Sequence, residues 1–155
     1  MKRIHTQTGY VQQSCYAMRN SETESQSVPE GEQQEHAVRW VPCKRYCQTL
    51  DLRDNPELVA EYRKRHQATE IWPEVLEGIR QVGILEMEIY ILGTRLFMIV
   101  ETPPDFDWDA SMARLATLPR QAEWEEYMAG FQAVCPGLTS AEKWKPMERM
   151  FHLYR

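Results

Sequence analysis

Tyr62 and His66 stand four residues apart in a stretch with helical periodicity, a spacing that sets a phenol beside an imidazole on one helix face. Imidazole titrates near neutrality, so His66 can take and give a proton at physiological pH, as general acid–base catalysis requires. Spacing alone is also satisfied by a partly buried histidine that serves packing, which is the commoner case. A second set alternates: Glu86, Glu88 and Tyr90 interleave with Leu85, Met87 and Ile89, so one face of a strand carries two carboxylates and a phenol. Such an acid pair could move protons, although such a face is more often the solvated or interface side of an antiparallel sheet. Trp72 and Trp124 could stack on the apolar patch of a sugar ring, while tryptophans on apolar helix faces usually belong to the core.

Other chemistries find little support. The seven glycines never form the fingerprint that cradles a nucleotide at a helix N-terminus, so nucleotide cofactors are not expected. The four cysteines, Cys15, Cys43, Cys47 and Cys135, lack the His or second Cys pair of a zinc site, and none carries the signature of an activated nucleophile. They are expected as free thiols, with no metal and no covalent catalysis.

The elements that must position these residues follow from local pattern. Tyr46–Leu52 alternates β-prone and polar residues over strand length. Asp54-Asn55-Pro56-Glu57 supplies an N-cap, a proline suited to the first helical position and an acid that complements the helix dipole. The helix it opens gathers Leu58, Val59, Tyr62 and His66 on one face and turns His66 inward. A second helix is predicted from Pro73 to Val82, stopped by Gly83. The runs 84–92 and 95–101, joined by Gly93-Thr94, predict a tight hairpin. Beyond Pro103-Pro104-Asp105, two amphipathic helices are expected, the first with Trp108, Met112 and Leu115, the second opened by Pro119 and carrying Trp124, Tyr127, Met128 and Phe131. Met147–Leu153 fits a closing strand. The order β-α-β-β-α-β predicts an α+β, ferredoxin-like split βαβ fold, a four-stranded antiparallel sheet with helices on one face. Two such sheets facing each other would make a dimeric α/β barrel, so a homodimer is expected.

Residues 1–42 differ from the rest, being polar and rich in Ser, Gln and Glu between 18 and 36, and are expected to be a disordered extension preceding one domain over 43–155. The chain has 155 residues, 43% hydrophobic and 26% charged, ordinary values for a single globular core. A net charge of −5 argues against nucleic acid as a partner, because phosphate binders depend on clustered Lys and Arg. No apolar run approaches the roughly 20 residues that cross a bilayer and no secretory signal is visible, so a cytoplasmic protein without membrane attachment is expected.

The segments Glu61–His66 and Ile71-Trp72-Pro73-Glu74 resemble the signature region of the L-rhamnose mutarotase family. Gly83, Glu88-Ile89-Tyr90, Arg95-Leu96-Phe97, Trp124 with Tyr127-Met128, and Met147–Leu153 follow in that family's order, so the resemblance covers about residues 44–153. It implies a small cytoplasmic homodimer of ferredoxin-like fold, working without cofactor or metal on a monosaccharide. It also implies that His66 is the proton donor, Tyr62 a substrate-contacting tyrosine and Trp124 the first of two adjacent sugar-contacting tryptophans. The chain departs from the pattern at Met87, where a tyrosine is usual, at Glu125, in place of the second tryptophan, and by two extra residues between His66 and Trp72. A glutamate for an aromatic exchanges stacking for hydrogen bonding to hydroxyls, which bears on the choice between L-rhamnose and L-fucose.

Mutarotation removes a proton from the anomeric hydroxyl and delivers one to the ring oxygen. The expected assignment gives His66 the delivery, with Tyr62 or a carboxylate, Glu88 first, completing the relay and Trp72 contacting the sugar. A cofactor-free oxygenase of the dimeric ferredoxin-like type, or a non-catalytic sugar-binding module, would share this architecture.

Overall fold

The computed structural model describes residues 10–17 and 40–153, Pro136 excepted. Its elements in chain order are β1 (Tyr10–Ala17), β2 (Trp40–Asp51), α1 (Pro56–Arg65), α2 (Pro73–Gln81), β3 (Glu86–Leu92), β4 (Arg95–Thr102), α3 (Trp108–Leu115), α4 (Gln121–Ala129), α5 (Ser140–Lys143) and β5 (Lys145–Pro146). From β2 onward this is the expected ferredoxin-like fold. The antiparallel order β5-β2-β4-β3 puts the two chain-distant strands β2 and β4 at the centre, where Lys44–Asp51 pairs with Arg95–Thr102. The predicted hairpin is present as β3 and β4, paired from Glu86↔Glu101 to Leu92↔Arg95. Gly93 turns it at φ 60°, while Thr94 keeps a negative φ, the pattern of a type II′ turn, which suits the strands' twist.

Strand alternation divides the sheet. Tyr46, Gln48 and Leu50, Leu96, Met98 and Val100, and Met87 and Ile91 face the helices and join one core with Tyr62, Val75, Trp108, Trp124 and Met128. The alternate residues, among them Glu86, Glu88, Tyr90, Phe97 and Ile99, face away. The helices therefore cover one face. Close approach of α2 to α4 depends on Gly78, since a Cβ there would come within 2.3 Å of the Gln121 amide nitrogen. That amide donates to the carbonyls of Glu74 and Val75, each at 3.2 Å, and so ties the two helices together.

The edge of β2 differs from expectation. The closing strand predicted over Met147–Leu153 is instead the two-residue β5, paired Gln48↔Pro146 and Thr49↔Lys145, with one further hydrogen bond from Met147 N to the Cys47 carbonyl at 2.8 Å. Continuing antiparallel along β2, the segment would reach Arg45, which already pairs with Tyr10 of β1. The edge is filled, so Met147–Leu153 leaves the sheet, with Met150 96% and Phe151 72% exposed. β2 starts at Trp40 and β1 pairs with it, so part of the segment expected to be a disordered extension is a strand of this sheet; the rest of residues 1–42 lies outside the described residues. Among the described residues no helix is long and apolar enough to cross a membrane.

Candidate active site

Helix α1 places the titratable pair. Asn55 caps it, its side chain accepting from the backbone of Glu57 at 2.9 Å and Leu58 at 3.1 Å, and Pro56 opens the first turn. Arg63, Lys64 and Arg65 in the last turn complement the negative end of the helix dipole. Tyr62 is buried on the inner face, and His66, one turn on, ends the helix with its ring 4.2 Å from that of Tyr62. The His66 Nδ1 lies 2.9 Å from the Tyr62 carbonyl oxygen. A carbonyl only accepts, so Nδ1 carries the hydrogen, and a neutral imidazole then holds its lone pair on Nε2. Burial lowers the His66 pKa, partly offset by that hydrogen bond, and favours the neutral ring. Burial also pushes the Tyr62 phenol well above its ordinary range, with the Glu125 charge adding to the effect. Tyr62 is thus a hydroxyl that keeps its proton.

Both residues line a cavity of about 100 Å³, together with Gln48, Met87, Trp124 and Glu125. A neighbouring hollow of about 470 Å³ shares His66, Met87, Ile89 and Trp124, so the imidazole stands where the two meet. The inner space is small beside the roughly 300–1,000 Å³ of drug-sized ligand sites and suits a compact solute better than a nucleotide. Buried amides give it polarity: Gln48 is 1% exposed and Gln132 3%. Gln132 Oε1 and Trp108 Nε1, both from cavity-lining residues, are buried without a hydrogen-bond partner among the described residues, an acceptor and a donor that a bound polar molecule or water would satisfy.

The structure brings some of the sequence-predicted residues together and separates others. His66, Tyr62 and Trp124 meet, with Trp124 5.5 Å from His66 in an edge-to-face arrangement. Trp72 does not line the cavity. It stands behind Trp124 at 5.2 Å, stacks on Tyr127 at 6.0 Å, and has the Arg120 guanidinium 3.9 Å from its ring centre, so it braces the cavity wall. Arg120 holds that position from a left-handed backbone conformation, φ 60°, rare for a residue with a Cβ. Glu88 is placed elsewhere altogether: strand alternation turns it away from the helices, where it is exposed and accepts from the Tyr90 hydroxyl at 3.0 Å. Met87 and Ile89 face the cavity in its stead. The carboxylate that does face it is Glu125, which accepts from the nearly buried Lys143 at 3.3 Å.

Two lining residues, Gln48 and Gln132, and the lysine that holds Glu125, Lys143, were passed over in the sequence. Gln48 carried a signal, since it occupies an inward position between Tyr46 and Leu50 where an apolar residue is the rule. Gln132 and Lys143 lie outside any regular repeat and gave none.

Residues 45–153 match the family described as L-rhamnose mutarotase. The L-fucose mutarotase of Xanthomonas campestris pv. campestris is 42% identical over 110 residues, covering 71% of this chain and 88% of that protein. The L-rhamnose mutarotase of Burkholderia orbicola is 35% identical over 104 residues, covering 66% of this chain and 92% of that protein. In fold, the chain is similar to the crystal structure of L-rhamnose mutarotase from Formosa agariphila, with a TM-score of 0.53 at 22% identity over 70% of this chain and 97% of that one.

Proposed function

The chain belongs to the L-rhamnose mutarotase family, and from that premise we propose that it interconverts the α and β anomers of a 6-deoxy-sugar, as an isomerase of the aldose 1-epimerase type. The observation that carries the reading is the His66 imidazole, whose Nδ1 hydrogen is held by the Tyr62 carbonyl so that the neutral ring keeps its lone pair on Nε2, on the wall of a small cavity with amide and carboxylate groups. L-fucose ranks ahead of L-rhamnose as substrate, since identity is higher to the L-fucose mutarotase.

In the first step the neutral His66 Nε2 takes the proton of the anomeric hydroxyl as the bond between C1 and the ring oxygen breaks. The imidazolium then protonates the ring oxygen, and the two oxygens are within reach of one nitrogen because both were bonded to C1. The products are an open-chain aldehyde and a neutral imidazole. Rotation about the bond from C1 to C2 presents the other carbonyl face, and the same transfers in reverse close the ring as the opposite anomer. The protonated Tyr62 hydroxyl donates a hydrogen bond to whichever sugar oxygen bears developing negative charge. Trp124 supplies a flat wall for the ring, with Trp72 holding it in place.

The chain works as a homodimer in this account, supported by the exposed apolar residues Tyr90, Leu92, Met150, Phe151 and Leu153. Light scattering at micromolar concentration is expected to give twice the chain mass, and a monomer would remove the dimer. A cytoplasmic setting belongs to the same proposal and agrees with Cys47 and Cys135, which are free thiols among the described residues. The activity itself is tested by polarimetry: protein added to a freshly dissolved single anomer should speed the approach to the equilibrium rotation without moving its end-point. An unchanged rate for both L-fucose and L-rhamnose would overturn the proposal.

A further inference from the structure

We propose that Glu125, fixed by the buried Lys143, is the polar anchor of the cavity: its carboxylate accepts hydrogen bonds from hydroxyls of the bound sugar and so decides which sugar the site takes. The inference rests on the mutarotase reading and names a specificity-determining residue for it. Glu125 follows Trp124 on α4 and lines the same cavity as Tyr62 and His66. Its charge is felt at the Tyr62 hydroxyl. Lys143 Nζ lies 3.3 Å from its Oε2 and 3.4 Å from its backbone oxygen. A carboxylate has about four lone-pair sites, so the lysine steadies the group while leaving acceptor capacity for a ligand.

Lys143 is only 5% exposed, and lysine is almost never fully buried without a charge partner. The chain builds a dedicated support for it. Thr139 donates from both its backbone nitrogen and its hydroxyl to the Glu142 carboxylate, each at 2.9 Å, a reciprocal cap that holds the single turn of α5. The Lys143 backbone nitrogen closes that turn onto the Thr139 carbonyl at 3.0 Å, and Ser140 and Trp144 on either side of it also line the cavity. By contrast, Arg95–Asp51 is a solvent-facing pair, with side chains 66% and 47% exposed, and needs no such support. A carboxylate anchored within a wall of Met, Ile and Trp side chains separates ligands that offer a hydroxyl there from those that do not. Lys143 is a positioning residue, acting through Glu125.

The test is anomer exchange measured for the wild-type protein and for Glu125→Ala, Glu125→Gln and Lys143→Met, on L-fucose, L-rhamnose and L-fucose analogues each lacking one hydroxyl. Glu125→Ala should raise KM for the preferred sugar about 10- to 100-fold, the scale of one hydrogen bond to a charged group, with a smaller fall in kcat. It should also narrow the preference between the two sugars, with Glu125→Gln recovering part of both effects. Lys143→Met should reproduce the KM rise, and the double variant should be no worse than Glu125→Ala, as expected for two residues acting as one unit. One deoxy analogue should bind poorly to wild type and suffer no further loss in Glu125→Ala. Wild-type activity with KM and sugar ranking unchanged in both Glu125 variants would overturn the anchor and leave the mutarotase reading standing. Absence of exchange in the wild type would remove both. Should Lys143→Met fail to fold, the half-exposed Glu125 decides the matter by itself.

Discussion

Replacing His66 by alanine separates the chemistry from the scaffold. The imidazole ring contacts Tyr62 at 4.2 Å and Trp124 at 5.5 Å, and its Nδ1 serves the Tyr62 carbonyl at the helix end. Each aromatic contact is worth about 0.5–1.5 kcal/mol, so the variant should lose about 1–3 kcal/mol of stability. Domains of this size typically have about 5–15 kcal/mol, and the variant stays folded. The proton-transfer loss is larger. Positioned acid–base groups contribute about 10²- to 10⁴-fold, equivalent to about 2.7–5.4 kcal/mol of barrier at 1.36 kcal/mol per decade. Both quantities come from one preparation, with circular dichroism melting for the fold and NMR magnetisation exchange between anomers for the rate. The expected result is a fall of at least 100-fold in kcat/KM in a protein that still melts cooperatively, with partial recovery on adding free imidazole to the vacated space. A folded variant retaining more than about a tenth of wild-type kcat/KM would refute the assignment of His66, because no other group would then be limiting.

Further expectations follow from the same geometry. Because burial lowers the His66 pKa, the acid limb of kcat/KM should have its midpoint below about 6.5, with activity level through neutrality; a midpoint above that value would contradict the neutral resting imidazole. The linked stability change has a definite sign. The unfolded chain binds a proton at this residue near pH 6.5 while the folded chain does not, so chemical denaturation should show stability declining as pH falls from about 6.5 to the lower folded pKa, with His66→Ala lacking that component. Glu88→Gln should keep kcat/KM within about twofold, the size of an exposed surface change, and a tenfold loss would return Glu88 to the site. Gly78→Ala should cost about 1–3 kcal/mol by urea denaturation, as the Gln121 amide is driven off the Glu74 and Val75 carbonyls; unchanged stability would show that the two helices separate freely.

What could be read from the sequence follows the range over which each feature is specified. The β3–β4 hairpin and helix α1 are local: alternation, a Gly-bearing two-residue loop, an Asn cap and Pro56 define them within a dozen residues. Tyr62 and His66 were legible as a pair for that reason, and the helix does set their rings in contact. Met147–Leu153 is a different case. Its residue types suit a strand, yet its pairing depends on which chain segment holds the β2 edge, and β1 holds it. Glu88 and Glu125 show the same limit for the site. Both faces of the β3 strand were readable, but which face met the helices was decided by the packing of Met87 and Ile91 into the core. The Glu125–Lys143 pair joins two elements 18 residues apart, and no periodicity announces such a contact.

The central claim is that this chain accelerates the exchange of α and β anomers of a 6-deoxy-sugar. NMR magnetisation exchange on equilibrated L-fucose and L-rhamnose, with and without catalytic amounts of protein, tests it without a coupled enzyme. The account predicts faster exchange with protein present, greater for L-fucose and at least 100-fold weaker in His66→Ala; exchange at the spontaneous rate for both sugars would contradict it.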